Sequence, residues 1–322
     1  MEYRVLGRTG VKVSQLCFGT MSFGGDADES TSAAMYKRCR DVGINFFDCA
    51  NVYAGGRSEE ILGKLMAGER DTLVITSKVC SAVGQGVNQR GLSRRHIMLE
   101  VENSLRRLNT DRLDVLFVHH YDNDTPMEET VRALDALVQQ GKILYPGVSN
   151  WSAWQMAKAL GISACEGLAR FECVQPMYNL VKRQAEVEIL PFAQSEEVAV
   201  TPYSPMGGGL LSGKYASAKR PESGRLVSNT MYMSRYGEEN YYQIAGDFTA
   251  HAQEKGVHPA TLAVAWVMHN PAITAPIIGA RNVEQLEGSL AALDVKMTDE
   301  WWREISKLSY EPPLATDRSE EK

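Results

Sequence analysis

Eight short apolar, β-branched or aromatic runs recur along this 322-residue chain at nearly even intervals, and that regularity constrains the fold more than any other feature. They occupy 15–19, 45–48, 73–78, 113–119, 143–148, 172–175, 198–203 and 274–279. Their starts lie 30, 28, 40, 30, 29, 26 and 76 residues apart. Continuous apolar runs suit strands buried on both faces, as in a parallel sheet. The first six gaps each have room for a crossover helix. Segments 30–42, 58–66, 93–108, 127–140 and 283–293 carry apolar residues at three- and four-residue intervals, the helical period. Ser93 is placed to cap one N-terminus, and Gly43 and Gly141 to close two C-termini. Eight strands alternating with helices predict an α/β protein, a (β/α)8 TIM barrel, with residues 1–322 as a single domain. A doubly wound sheet is the alternative that the pattern leaves open.

Two features stand outside the repeat. Residues 3–14, with Gly7-Arg8-Thr9-Gly10 between alternating stretches, read as an N-terminal β-hairpin plugging the barrel floor. The 76-residue gap contains an irregular Gly/Ser/Tyr-rich stretch at 204–241 and then two helix-like segments, giving extended C-terminal loops of the kind that carry function. The tail 311–322, Pro-rich and then charged, reads as a mobile terminus.

Composition narrows the partners. Thirty-four basic residues against forty acidic give a net charge of −6 with no basic stripe, which argues against nucleic acid. No window approaches the roughly 18 apolar residues of a membrane span, and the N-terminus lacks a signal-peptide core. The six cysteines are scattered, without a Cys-x-x-Cys pair, as in a reducing compartment. A cytoplasmic protein with a small-molecule substrate and no metal is expected; the sequence does not fix its oligomeric state.

In a barrel, chemistry collects at the carboxyl ends of the strands. Asp48 ends the second run, Tyr53 follows in its loop, Lys78 ends the third and His119 ends the fourth. One such group is usually a solvated charge, but four on three consecutive strands form a complementary set. An ammonium beside a phenol stabilises the phenolate and lowers its pKa. A carboxylate holds the lysine charged, and an imidazole orients a carbonyl oxygen. The set amounts to a proton donor for carbonyl chemistry. Strand alternation is expected to turn the neighbouring His120 the other way.

These residues, in Phe47-Asp48-Cys49-Ala50-Asn51-Val52-Tyr53 together with Lys78 and His119, resemble the catalytic tetrad of the aldo-keto reductase superfamily, and the likeness runs from Arg4 to about Leu308. The chain departs from the common pattern at Cys49, often Thr, and at Ala54, often Gly. No Gly-x-Gly-x-x-Gly follows a strand, so a Rossmann site is not supported. Gly208 to Lys214 mimics a phosphate loop, but Tyr215 stands where that motif needs Ser or Thr. The segment Tyr203 to Lys214 is instead similar to the loop after strand seven in reductases of the potassium-channel β-subunit-like branch. That likeness implies Tyr203 stacked on a nicotinamide, with Ser204 and Lys214 near the pyrophosphate and Ser149, Asn150 and Gln175 on the carboxamide. It also implies cofactor contacts from Gly19, Thr20 and Met21, from Pro205, Met206, Gly207 and Leu210, and from Ile278, Gly279, Gln285 and Ser289, with Arg225 covering the cofactor.

Arg281 follows the last strand where a helix begins, so a guanidinium joins helix-terminal amides that favour phosphate. NADP(H) is the expected cofactor, with NAD(H) as the alternative, for reduction of an aldehyde or ketone. A low-turnover, NADPH-holding regulatory subunit is the second reading. A Schiff-base barrel using Lys78 is a third, which leaves the nucleotide motifs unexplained. Specificity is assigned to the loops 21–28, 121–125 and 231–242, where Tyr232, Tyr236, Tyr241 and Tyr242 either stack on substrate or pack the loop onto the barrel.

Overall fold

The computed structural model describes residues 1–215 and 224–316; residues 216–223 of the irregular stretch and 317–322 of the tail lie outside it. Strands β1 (Tyr3–Val5) and β2 (Lys12–Ser14) pair antiparallel as the expected hairpin. Strands β3 (Cys17–Gly19), β4 (Phe46–Asp48), β5 (Val74–Val79), β6 (Leu113–Val118), β7 (Ile143–Ser149), β8 (Cys173–Gln175), β9 (Ala199–Val200) and β10 (Ile277–Ile278) form one parallel sheet in the order β10-β3-β4-β5-β6-β7-β8-β9. Backbone bonds from Thr274 and Ala275 to the Val200 carbonyl (2.9 and 3.3 Å) and from Ile277 to the Pro202 carbonyl (2.8 Å) join the two ends. The sheet therefore closes on itself, and the doubly wound alternative falls.

The last two strands are shorter than the six residues expected of each. Pro202 and Pro276 have no N–H to donate, so the ladder is interrupted although bonding continues around them. Helices Glu29–Asp41, Arg57–Leu65, Arg94–Leu108, Met127–Gln139 and Val283–Leu290 fall within two residues of their expected starts. The Ser93 side chain accepts from the His96 amide at 3.3 Å, and Gly43 and Gly141 adopt positive φ just past their helices. Ala153–Glu166 and Ile189–Ser195 complete the early crossovers. The first of these is rich in small residues, so its apolar stripe is weak. Its sequence signal was Ser152-x-x-Gln155, where Gln155 reaches back to the Ser152 amide at 2.9 Å. The long gap holds helices Thr230–Tyr236, Glu239–Glu254 and Pro259–His269.

Period-two alternation sorts every barrel strand. One face packs outward against the helices, as Phe47 does on Tyr36 with ring centroids 5.0 Å apart. The inner face carries Cys17, Phe46, Val74, Val115, Phe117, Cys173, Ala199 and Ile277, seated on Leu6 and Val13 of the hairpin, which plugs the floor. Gly147 belongs to this register because Phe117 fills the axis; a Cβ there would lie 2.7 Å from the ring. The same inner register, followed toward the carboxyl ends, delivers Asp48, Thr76, Lys78, Ser149 and Gln175. Among the described residues no helix is long and apolar enough to cross a membrane.

Candidate active site

Above the packed axis the strand ends open into a cleft of about 1540 Å³, larger than most sites for one small ligand. Lys78 lies at its base, its side chain fully buried. All three ammonium protons are used: Nζ donates to Asp48 Oδ2 at 2.5 Å, to the Cys49 carbonyl at 2.8 Å and to the Tyr53 hydroxyl at 3.1 Å. Asp48 is fixed in turn, its Oδ1 accepting from Thr76 Oγ1 at 2.8 Å and from Gln175 Nε2 at 2.9 Å across the barrel. Thr76, two residues before Lys78 in the same register, went unnamed from the sequence, although the alternation marks it. Tyr53 enters on a tight turn where Ala54 takes a left-handed φ of 48°, a conformation L residues seldom adopt. The His119 ring meets the Tyr53 ring edge-on at 6.3 Å.

Electrostatics assign protons to these groups. Burial pushes the Tyr53 hydroxyl up to about 12; Lys78 pulls against this, and Asp48 adds to it. The expected lowering by Lys78 is thus real in direction but outweighed by desolvation, and Tyr53 stands as a protonated phenol. Burial by itself would lower Lys78, yet Asp48 and Tyr53 hold its ammonium above the ordinary range. Burial, with help from Lys78, His120 and Arg235, drives His119 down to about 2, so its imidazole is neutral. Its Nδ1 is buried without a partner among the described residues.

His120 corrects an expectation. Strand β6 ends at Val118, so alternation no longer governs the next two residues; His120 stacks on His119 at 4.6 Å and lines the same cleft.

Gly19, Met21, Ser149, Asn150, Gln175, Tyr203, Ser204, Pro205, Met206, Lys214, Ile278, Gly279, Arg281 and Gln285 line the cleft together. Asn150 ties several of them: it donates to the His119 carbonyl at 2.9 Å and to Ser149 Oγ at 3.1 Å, and accepts from the Tyr203 hydroxyl at 2.7 Å. Thr20, Gly207, Leu210 and Ser289 are buried outside the lining. Thr20 Oγ1 donates to the Asp48 carbonyl at 3.1 Å and accepts from Ser58 at 2.9 Å, bracing β3 against β4. Leu210 packs in the main core. Arg225 opens a short helix, and its side chain lies outside the described residues.

Arg281 is not a free guanidinium: its Nε pairs with Asp26 at 3.0 Å. Of the four tyrosines, Tyr236 packs inward, its hydroxyl accepting from Asn179 at 3.1 Å, and Tyr241 holds Lys182 at 2.9 Å. Tyr242 lies edge-on to Tyr215, and Tyr232 alone of the four lines the cleft.

The family model for the aldo/keto reductase family matches residues 15–309. The chain belongs to the aldo/keto reductase family. It is 39% identical over 311 residues, 92% of each chain, to a probable voltage-gated potassium channel subunit beta of Oryza sativa subsp. japonica. It is 37% identical to a relative named uncharacterized oxidoreductase YrpG, of Bacillus subtilis (strain 168), covering 96% of each. To norsolorinic acid reductase stcV of Emericella nidulans it is 36% identical, over 92% of this chain and 78% of the relative. Family and relatives together make this aldo/keto reductase an oxidoreductase, of a family that works with a nicotinamide dinucleotide.

Proposed function

We propose that this protein reduces an aldehyde or ketone to an alcohol with NADPH, Tyr53 acting as general acid. The observation that carries the reading is the continuous bond path from Asp48 through Lys78 to the Tyr53 hydroxyl at the base of the cleft.

The donor set fits the cofactor. At one end of the cleft Ser149, Asn150 and Gln175 offer amide and hydroxyl groups suited to a carboxamide, beside the Tyr203 ring. At the other end stand Lys214, Arg281 and the N-terminus of helix Val283–Leu290, whose cap Asn282 accepts from the Gln285 amide at 2.9 Å. Gly288 of that helix lines the cleft too, and at the catalytic end the buried His119 Nδ1 has no partner among the described residues, an unmet polar group inside the cleft. When bound, the dinucleotide supplies the hydride.

The chain's own groups do the rest. A neutral His119 directs a ring N–H at the substrate's carbonyl oxygen and holds it against Tyr53. The phenol gives its proton as negative charge grows on that oxygen, and the Lys78 ammonium stabilises the phenolate left behind. Asp48 keeps Lys78 charged and aimed. Tyr53→Phe should leave NADPH affinity nearly unchanged and slow turnover by at least about a hundredfold. Steady-state NADPH oxidation with a panel of aldehydes measures it, and near-parental turnover in the variant refutes Tyr53 as donor.

The similarity to the rice relative named as a probable channel subunit favours a second reading, an NADPH-holding regulatory subunit with little turnover. Tight NADPH binding without oxidation on any aldehyde of the panel would select it.

A further inference from the structure

Beyond its charge helping to keep His119 neutral, Arg235 has no part in the proton-donating set. It sits in the last turn of helix Thr230–Tyr236, half-buried, and lines the catalytic end of the cleft with Tyr53, His119, His120 and Tyr203. The helix is held firmly over that end. Tyr236 is fully buried, bonded to Asn179 and to Met177 Sδ at 3.4 Å. Tyr232 lies so close over Gly208, itself at a φ of 67°, that a Cβ there would be 2.5 Å from the ring. With its two aromatic neighbours pinned, the helical turn that carries Arg235 is fixed over the cleft.

Among the described residues Arg235 has no hydrogen-bond or ion-pair partner. The acids of the cleft lie elsewhere: Asp48 is held by Lys78, and Glu284 belongs to the helix after Arg281 at the far end. The two imidazoles facing Arg235 give it no counter-charge; burial together with its own charge keeps both below their ordinary range. A half-buried guanidinium with no protein partner keeps its donors available to a bound anion, and its planar fork matches a carboxylate with two parallel bonds.

Building on the reductase reading, we propose that Arg235 is a specificity residue that selects carbonyl substrates carrying a carboxylate, held while their carbonyl meets Tyr53 and His119. A substrate with both groups spans the catalytic end of the cleft, and a neutral isostere leaves Arg235 unmet.

The test compares 4-carboxybenzaldehyde with methyl 4-formylbenzoate, which differ in charge but share the ring and the reacting carbonyl. Arg235→Gln should lower kcat/KM for the acid by about ten- to a hundredfold, mostly through KM. The ester should change less than about twofold, and Arg235→Lys should restore part of the loss. NADPH affinity, read by fluorescence titration, should stay the same. Terephthalate, which cannot be reduced, should bind the parent holoenzyme in calorimetry and fail to bind Arg235→Gln. Equal losses for acid and ester, or weakened NADPH binding, would overturn the assignment. Terephthalate binding through Arg235 without reduction of any aldehyde would refute the reductase reading and leave the anion site standing. Reduction of both aldehydes with no charge preference and no terephthalate binding would do the reverse.

Discussion

Replacing Lys78 with Met separates the electrostatics of this site from its chemistry. The substitution removes a fully buried ammonium and strands three acceptors, Asp48 Oδ2, the Cys49 carbonyl and the Tyr53 oxygen. Breaking a buried ion pair from one side typically costs 3–5 kcal/mol, because a charge remains in a poorly polarisable interior. Asp48 keeps the bonds from Thr76 and Gln175 to its other oxygen, which places the cost near the lower end, about 3 kcal/mol. At ~2 °C per kcal/mol for a domain of this size, Lys78→Met should melt ~6 °C below the parent at pH 7. The double variant Asp48→Asn/Lys78→Met carries no stranded charge and should recover at least half of that loss. The sign with pH is also fixed. A stranded buried carboxylate prefers to hold a proton when folded, so the gap between Lys78→Met and parent should narrow as pH falls toward 4 and be widest at neutral pH. Thermal melts followed by circular dichroism at several pH values measure all three quantities. A single variant melting with the parent at pH 7, or a double variant melting below the single, would refute the view that Lys78 chiefly neutralises Asp48.

With His119 driven down to about 2, its ring should show no titration between pH 4 and 8 by NMR; an inflection near 6.5 would show it exposed to water. Arg281→Ala should weaken NADPH by about tenfold and NADH hardly at all. The lower end of the range for a charge-assisted bond applies because Asp26 already occupies part of the guanidinium, at an exposed pair of small worth. Asp26→Asn should correspondingly tighten NADPH, and fluorescence titrations of both cofactors against both variants decide the matter, equal effects on the two removing Arg281 from the phosphate site.

Much of the fold was legible because a parallel barrel imposes two periods at once, and apolar runs such as Val115–Val118 carry no competing signal. Asp48, Lys78 and His119 could be placed at the strand ends because each ends such a run. What escaped lay where a local rule stops. Alternation misplaced His120 because the strand ends one residue before His119. The stretch 231–242 is marked for specificity by its tyrosines, but Arg235 within it is not singled out, since it is placed only by the tertiary contacts of Tyr232 and Tyr236. The Asp26 partner of Arg281 was equally invisible, the two residues lying at opposite ends of the sequence and meeting only because the barrel closes.

The shared inner register of floor and site has a consequence for how such a protein can change. Val74, Thr76 and Lys78 ride on one face of one strand, so inserting a single residue below Lys78 would present Ser77 to the cleft and bury the ammonium among the helices. Inserting two would restore the facing but carry Lys78 about 7 Å along the strand, more than twice its present 3.1 Å reach to Tyr53. Strand length is therefore a ruler with no spare graduation, and variation in length is confined to the loops that begin where the ruler ends.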